Sequence, residues 1–206
     1  MRNALAPLAL ILVAAPLVAQ APTPPGKVDP ARITAGTYQV DPSHTLVEYE
    51  VNHFGFNDYF GLFGDATGTL ELDPARPEAA RVDITIPMSG ITNASAKLTE
   101  HLKSADFFDA ANHPSARFVS TRVEVDPRDR TKAKIHGNLT IRGVTKPVVL
   151  DAEFTGAGIN PMNKRLTVGF EAETEIKRSD FGVSYGLGLV SDEVELDISA
   201  AFEKAA

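Results

Sequence analysis

Residues 134–147 read KIHGNLTIRGVTKP. Ile135, Leu139 and Ile141 alternate with Lys134, His136, Asn138, Thr140 and Arg142. Successive side chains of a strand point to opposite faces, so this is a strand with one dry and one wet face. Arg142-Gly143-Val144-Thr145-Lys146-Pro147 joins it to a second apolar run as a short hairpin. A sheet built from such half-wet strands is antiparallel.

The period of two recurs on both sides. Thr45, Val47, Tyr49, Val51 and His53 share one face, with Glu48, Glu50 and Asn52 on the other. Val82, Ile84 and Ile86 alternate with Asp83 and Thr85. Leu166, Val168, Phe170, Ala172, Thr174 and Ile176 alternate with Thr167, Glu171, Glu173 and Glu175. Val194, Leu196, Ile198 and Ala200 alternate with Glu193, Glu195, Asp197 and Ser199. Turn residues punctuate them at Leu72-Asp73-Pro74, Asp126-Pro127-Arg128-Asp129 and Gly158-Ile159-Asn160-Pro161. About eight strands at fairly regular spacing predict a barrel or a sandwich. One stretch breaks the period. Residues 93–111 place Ala94, Leu98, Leu102 and Ala105 near helical spacing, with Asn93 or Ser95 as cap. This predicts an amphipathic helix, then a short turn carrying Phe107 and Phe108.

Residues 1–21 read as a secretory signal peptide. Arg2 supplies the positive start, an apolar run follows, and Ala19-Gln20-Ala21 has the small-x-small form of a cleavage site, with cutting after Ala19 or Ala21. The run is short for a membrane span and is interrupted by Pro7 and Pro16. No transmembrane span is expected after cleavage, an uncleaved anchor being the lesser alternative, and the folded chain is expected to be exported. Residues 22–35 form a Pro-rich lead, expected to be flexible and to stand apart from the core. Residues 36–206 form the folded domain.

The 206-residue chain carries 20 Lys+Arg against 27 Asp+Glu and has no cysteine. Disulfides and thiolate metal sites are therefore excluded. Nucleic acid is a poor match, because phosphate binding needs clustered basic residues. His44, His53, His101, His113 and His136 form no H-x-H or H-x-x-x-H pair, so no metal site is expected. There is no G-x-S-x-G elbow. Ser43 and His44 are adjacent, so in a strand they face opposite ways. The glycine-rich Gly182-Val183-Ser184-Tyr185-Gly186-Leu187-Gly188 lacks the lysine and the helix of a phosphate loop. It reads as a connection whose apolar residues, with Phe181, either line a cavity mouth or simply link two strands. Phe54, Phe56, Tyr59, Phe60 and Phe63 are interleaved with Gly55, Gly61 and Gly64. Such rings either pack a core or form an adjustable wall around a ligand.

Together these motifs resemble one family. They are Asp41-Pro42-Ser43-His44, Val51-Asn52-His53, Gly61-Leu62-Phe63-Gly64-Asp65, Glu100-His101-Leu102-Lys103-Ser104-Ala105-Asp106-Phe107-Phe108-Asp109 and Pro114-Ser115-Ala116-Arg117-Phe118. Gly137-Asn138-Leu139-Thr140-Ile141-Arg142-Gly143-Val144-Thr145-Lys146-Pro147, Arg178-Ser179-Asp180-Phe181-Gly182 and Ser191-Asp192-Glu193-Val194 complete the order. Their sequence and spacing from Tyr38 to Lys204 resemble the YceI-like family of polyisoprenoid-binding, lipocalin-like periplasmic proteins. Glu100 departs mildly, since the family more often has Asp there.

The resemblance implies an all-β fold with a helical insertion, an extended eight-stranded antiparallel lipocalin-like barrel enclosing a long apolar tunnel. It implies binding of an isoprenoid lipid, either a polyprenyl phosphate or a quinone-like molecule, with no cofactor, no metal and no catalytic set. The residues expected to bind it are Val47, Tyr49, Val51, His53, Phe54, Phe63, Ile84, Ile86, Leu102, Phe107, Phe108, Ile135, Leu139, Phe170 and Phe181. Tyr49 and His53 are the expected hydrogen-bonding groups for a head group, and Arg117, Arg142 or Arg178 the expected partners of a phosphate. A homodimer covering a tunnel mouth fits the same reading. Two alternatives stay open: an enzyme acting on a lipid inside the barrel, and an interaction module with a filled interior.

Overall fold

The computed structural model describes residues 23–205. The signal segment expected over residues 1–21 lies outside the described residues. Eleven strands form one closed antiparallel sheet. They are β1 (Gly36–Val40), β2 (Leu46–His53), β3 (Asn57–Phe63), β4 (Thr67–Leu72), β5 (Arg81–Pro87), β6 (Ile91–Thr92), β7 (Ser115–Val125), β8 (Lys132–Ile141), β9 (Val144–Ile159), β10 (Leu166–Lys177) and β11 (Glu193–Lys204).

Eleven strands make eight staves because three staves are interrupted. β1 and β2 both pair with β11, through Val40 opposite Phe202 and Val47 opposite Ile198. β4 and β3 follow beside them, and β5 and β6 beside those. β7 to β11 then run up and down until β11 meets β1 and β2 again. The result is an eight-staved antiparallel barrel, and closure removes the free sheet edges that an open sandwich would leave.

Two bulges tune the alternation. In β7 the pairing slips between Ser120 and Arg122, so Phe118 and Ser120 face inward before the bulge and Val123 after it. In β9 a second slip falls beside Gly169 and Phe170, after which Ala157 takes the inward place. Each extra residue bends its strand and steepens the local twist. The hairpin expected at Arg142 is present. Arg142 and Gly143 both adopt positive φ, 49° and 74°, as a two-residue turn matching the strand twist requires.

The helix α1 (Ala96–Lys103) sits at the end here called upper. The side chain of Ser95 caps it by accepting a bond from the Leu98 amide. The helix is shorter than the 93–111 stretch, because the chain turns after Ser104. Leu102 packs inward with Phe107 and Phe108. At the lower end the lead departs from expectation. Instead of standing free, Lys27 pairs with Ala157, and Ile33 is buried in the core at 9% exposure. An apolar isoleucine beside the barrel rim gains more by covering that rim than by staying in water. No helix among the described residues is long and apolar enough to cross a membrane.

Candidate ligand-binding site

The inward faces do not fill the barrel. They enclose two chambers, a lower one of about 410 Å³ and an upper one of about 140 Å³. The chambers share Val47, Ile86, Leu139 and Leu196 as wall residues, so they lie end to end. Leu70, Ile84, Ile135, Phe154, Phe170 and Phe202 line the lower chamber. Tyr49, Val51, Phe63, Leu102, Phe107, Phe108 and Phe181 line the upper one. A filled interior, as an interaction module would have, is therefore not what this chain builds.

The two ends differ. The residues that top the upper chamber, Leu102, Phe107, Phe108, Phe181 and Val183, are all buried or half-buried. At the lower end Pro30, Arg130 and Lys132 both line the chamber and are solvent-exposed. That end is the mouth, framed by the lead and by the β7–β8 hairpin. The upper end is a lid.

Two arginines hold the lid. Arg142 donates to the Ala105, Phe107 and Gly182 carbonyls at 2.9, 2.9 and 2.8 Å. It therefore ties the segment after α1 and the loop after Phe181 to the tip of the β8–β9 hairpin. Arg178 is 7% exposed and lines the upper chamber. It donates to the carbonyls of Ser191, Val183, Tyr185 and Val190. Burial lowers its basicity, with Asp192 acting in the opposite direction. Asp192 receives bonds from the Ser179 hydroxyl and amide, which hold its carboxyl below the usual range. Both guanidiniums are thus engaged by backbone. Arg117 lies on the outer surface and forks onto Asp83. None of these three expected phosphate partners presents a free fork to a chamber.

Of the fifteen residues expected from sequence, all line a chamber except His53 and Phe54. His53 ends β2, where its backbone bridges to Val190 and its ring rests on Phe54 at 4.1 Å. Phe54 turns outward because its φ is 58°, and it is 44% exposed. The phenylalanine and glycine cluster divides by strand period. Phe63 faces in, whereas Phe60 faces out and Phe56, at the hairpin tip, is 87% exposed. The glycine beside Tyr49 does have a packing role. A Cβ on Gly61 would stand 2.3 Å from the Tyr49 ring, so glycine leaves the room in which that ring lies.

Tyr49 is 8% exposed, and its hydroxyl has no hydrogen-bond partner among the described residues. Burial pushes the phenol up to about 12; the Asn93 side chain, whose own Nδ2 is likewise unpartnered, is near enough to pull the other way without reaching hydrogen-bond geometry. It is neutral at physiological pH. Tyr49 and Arg178 are the titratable residues of the upper chamber. Among the described residues no group of three or more His, Asp or Glu is gathered as a metal site. Sequence reading missed Arg130 and Lys132 at the mouth. Their stretch looks like any polar turn, and only closure of the barrel brings it over a cavity.

A closed antiparallel barrel around lidded apolar chambers is the architecture of a lipocalin-like small-molecule binder. The sequence matches the YceI-like domain over residues 38–202, and the chain belongs to that family. It is 40% identical over 167 residues to protein YceI of Escherichia coli O17:K52:H18, covering 80% of this chain and 85% of that one. The solved structure of Burkholderia cenocepacia BcnA is similar with a TM-score of 0.69 and 25% identity, over 79% of this chain and 98% of that one. A polyisoprenoid binding domain from Saccharophagus degradans, implicated in plant cell wall breakdown, shares the fold at a TM-score of 0.62 and 14% identity, over 82% of this chain and 98% of that one.

Proposed function

We propose that this protein binds an isoprenoid lipid, a polyprenyl phosphate or a quinone-like molecule, and carries or sequesters it in the periplasm. The observation that carries the reading is the pair of adjoining chambers, whose walls are almost wholly aliphatic and aromatic. Each buried CH₂ contributes about 0.8 kcal/mol, so a branched hydrocarbon tail binds without many polar contacts. Ordering the flexible tail offsets part of that gain. The fold neighbour from Saccharophagus degradans, described as polyisoprenoid binding, supports the ligand class. The signal-like pattern of residues 1–21 supports the compartment.

The unequal ends give the ligand a direction. The tail enters at the mouth and ends under the lid, and the head group stays near Arg130, Thr131 and Lys132. A binding protein fits better than an enzyme. The upper chamber offers one neutral phenol and one arginine already committed to four carbonyls. Neither can shuttle a proton near neutral pH.

Native mass spectrometry of protein purified gently from its own periplasm, followed by organic extraction, tests the reading. The expected result is one isoprenoid lipid per chain, recovered chemically unchanged. Protein that is empty, and that also takes up no added polyprenyl lipid, would refute it.

A further inference from the structure

We propose that Val47, Ile86, Leu139 and Leu196 form a collar that sets how much of a chain this barrel accepts. The inference rests on the lipid reading above and adds a length rule to it. These four residues come from three sides of the circumference: Val47 and Leu196 from the neighbouring strands β2 and β11, Ile86 from β5 and Leu139 from β8. All four border both chambers, so a chain that passes from the mouth to the lid must thread between them. Val47 and Leu139 are buried, so the collar is held by the barrel wall itself.

The volumes turn this geometry into a rule. At about 30 Å³ for each water-sized group, the two chambers together take on the order of twenty carbons. The upper chamber takes on the order of five, which is one isoprene unit. The lid blocks further advance, because Phe107, Phe108 and Phe181 close it and Arg142 and Arg178 pin it. A longer chain therefore leaves its surplus units and its head group outside the mouth. Affinity rises with each unit until the upper chamber is filled, and is flat beyond it. Enlarging a collar residue removes the upper chamber from reach and shortens that rise by about one unit.

The test uses the folded chain without its signal segment, after delipidation, with prenyl monophosphates of two, three, four and eight isoprene units as probes. Calorimetric affinities are measured for the native sequence, for Leu139→Phe and for Leu196→Phe. Circular dichroism confirms folding, and the two substitutions lie on different strands so that one serves if the other does not fold. The native protein is expected to gain about tenfold or more per unit up to four units, then to show no gain at eight. In either phenylalanine variant the last step is lost, so the ratio of four-unit to three-unit affinity falls about tenfold toward one. An unchanged ratio in both variants overturns the collar. Affinity that still climbs from four to eight units overturns the lid as a stop. Native protein that binds no probe of any length refutes the lipid reading itself, and the length rule with it.

Discussion

Tyr49 shows how a single atom separates two accounts of the upper chamber. Its hydroxyl is buried without a partner, an arrangement that costs free energy unless something arrives to bond it. If no ligand head group reaches that depth, Tyr49→Phe removes an orphan and is expected to stabilise the protein by up to about 1 kcal/mol. Thermal unfolding would report that as a rise of roughly 2–4 °C. Affinity for a polar-headed lipid should then stay the same, as expected if the head group stays at the mouth. A clear loss of that affinity would instead place the head group beside Tyr49, as the sequence alone led one to expect. Arg178 teaches the converse. An arginine inside an apolar chamber invites a phosphate, yet its donors are spent on the backbone that forms the lid.

At the scale of strands, the outer wall carries its own tension. Glu50 lies opposite Glu195, which lies opposite Glu175, and Glu48 lies opposite Asp197, which lies opposite Glu173. Like charges directly across a sheet are destabilising. The Glu50 carboxyl is raised above its usual value, first by desolvation and then by Asp58, Glu195, Asp197 and Glu48. A carboxyl with a folded pKa above its unfolded one binds its proton more tightly in the native state. Its contribution worsens as pH rises from the unfolded value through the folded one, and acidification relieves it. Glu50→Gln should therefore raise Tm at neutral pH and low salt. The gain should fade below the carboxylate range and in concentrated salt. Asp83 and Asp192 run the other way, since their lowered values supply stability that is lost as pH falls through them. Strand identity and inward faces were readable from sequence because alternation is a local property, visible in runs such as residues 134–141. The bulges in β7 and β9 were not, since an extra residue leaves no mark on composition. Nor was the meeting of Val47, Ile86, Leu139 and Leu196, which depends on the order of strands around the barrel. The seat of Ile33 is hidden in the sequence because the prolines and charges around it describe a linker, while one apolar side chain suffices to hold it on the rim.

For the whole molecule, the chambers couple ligand to stability. A ligand that binds only the folded state stabilises it by about 2.7 kcal/mol at a hundredfold excess over Kd. Extraction with organic solvent and refolding should therefore lower Tm by roughly 5–10 °C relative to loaded protein. Re-addition of the extracted lipid should restore it, and identical melting curves would mean that the chambers carried nothing. The position of the chain ends adds a practical point. Lys204 donates to the Thr34 and Ala35 carbonyls and lies over the Tyr38 ring, while Lys27 pairs with Ala157. Both described ends of the chain thus gather at the lower rim, beside the mouth. An affinity tag or fluorescent fusion joined at either described end would crowd this open doorway of the barrel. Anchoring to a sensor surface through a residue engineered near Phe56, at the opposite pole, would leave that doorway facing solution.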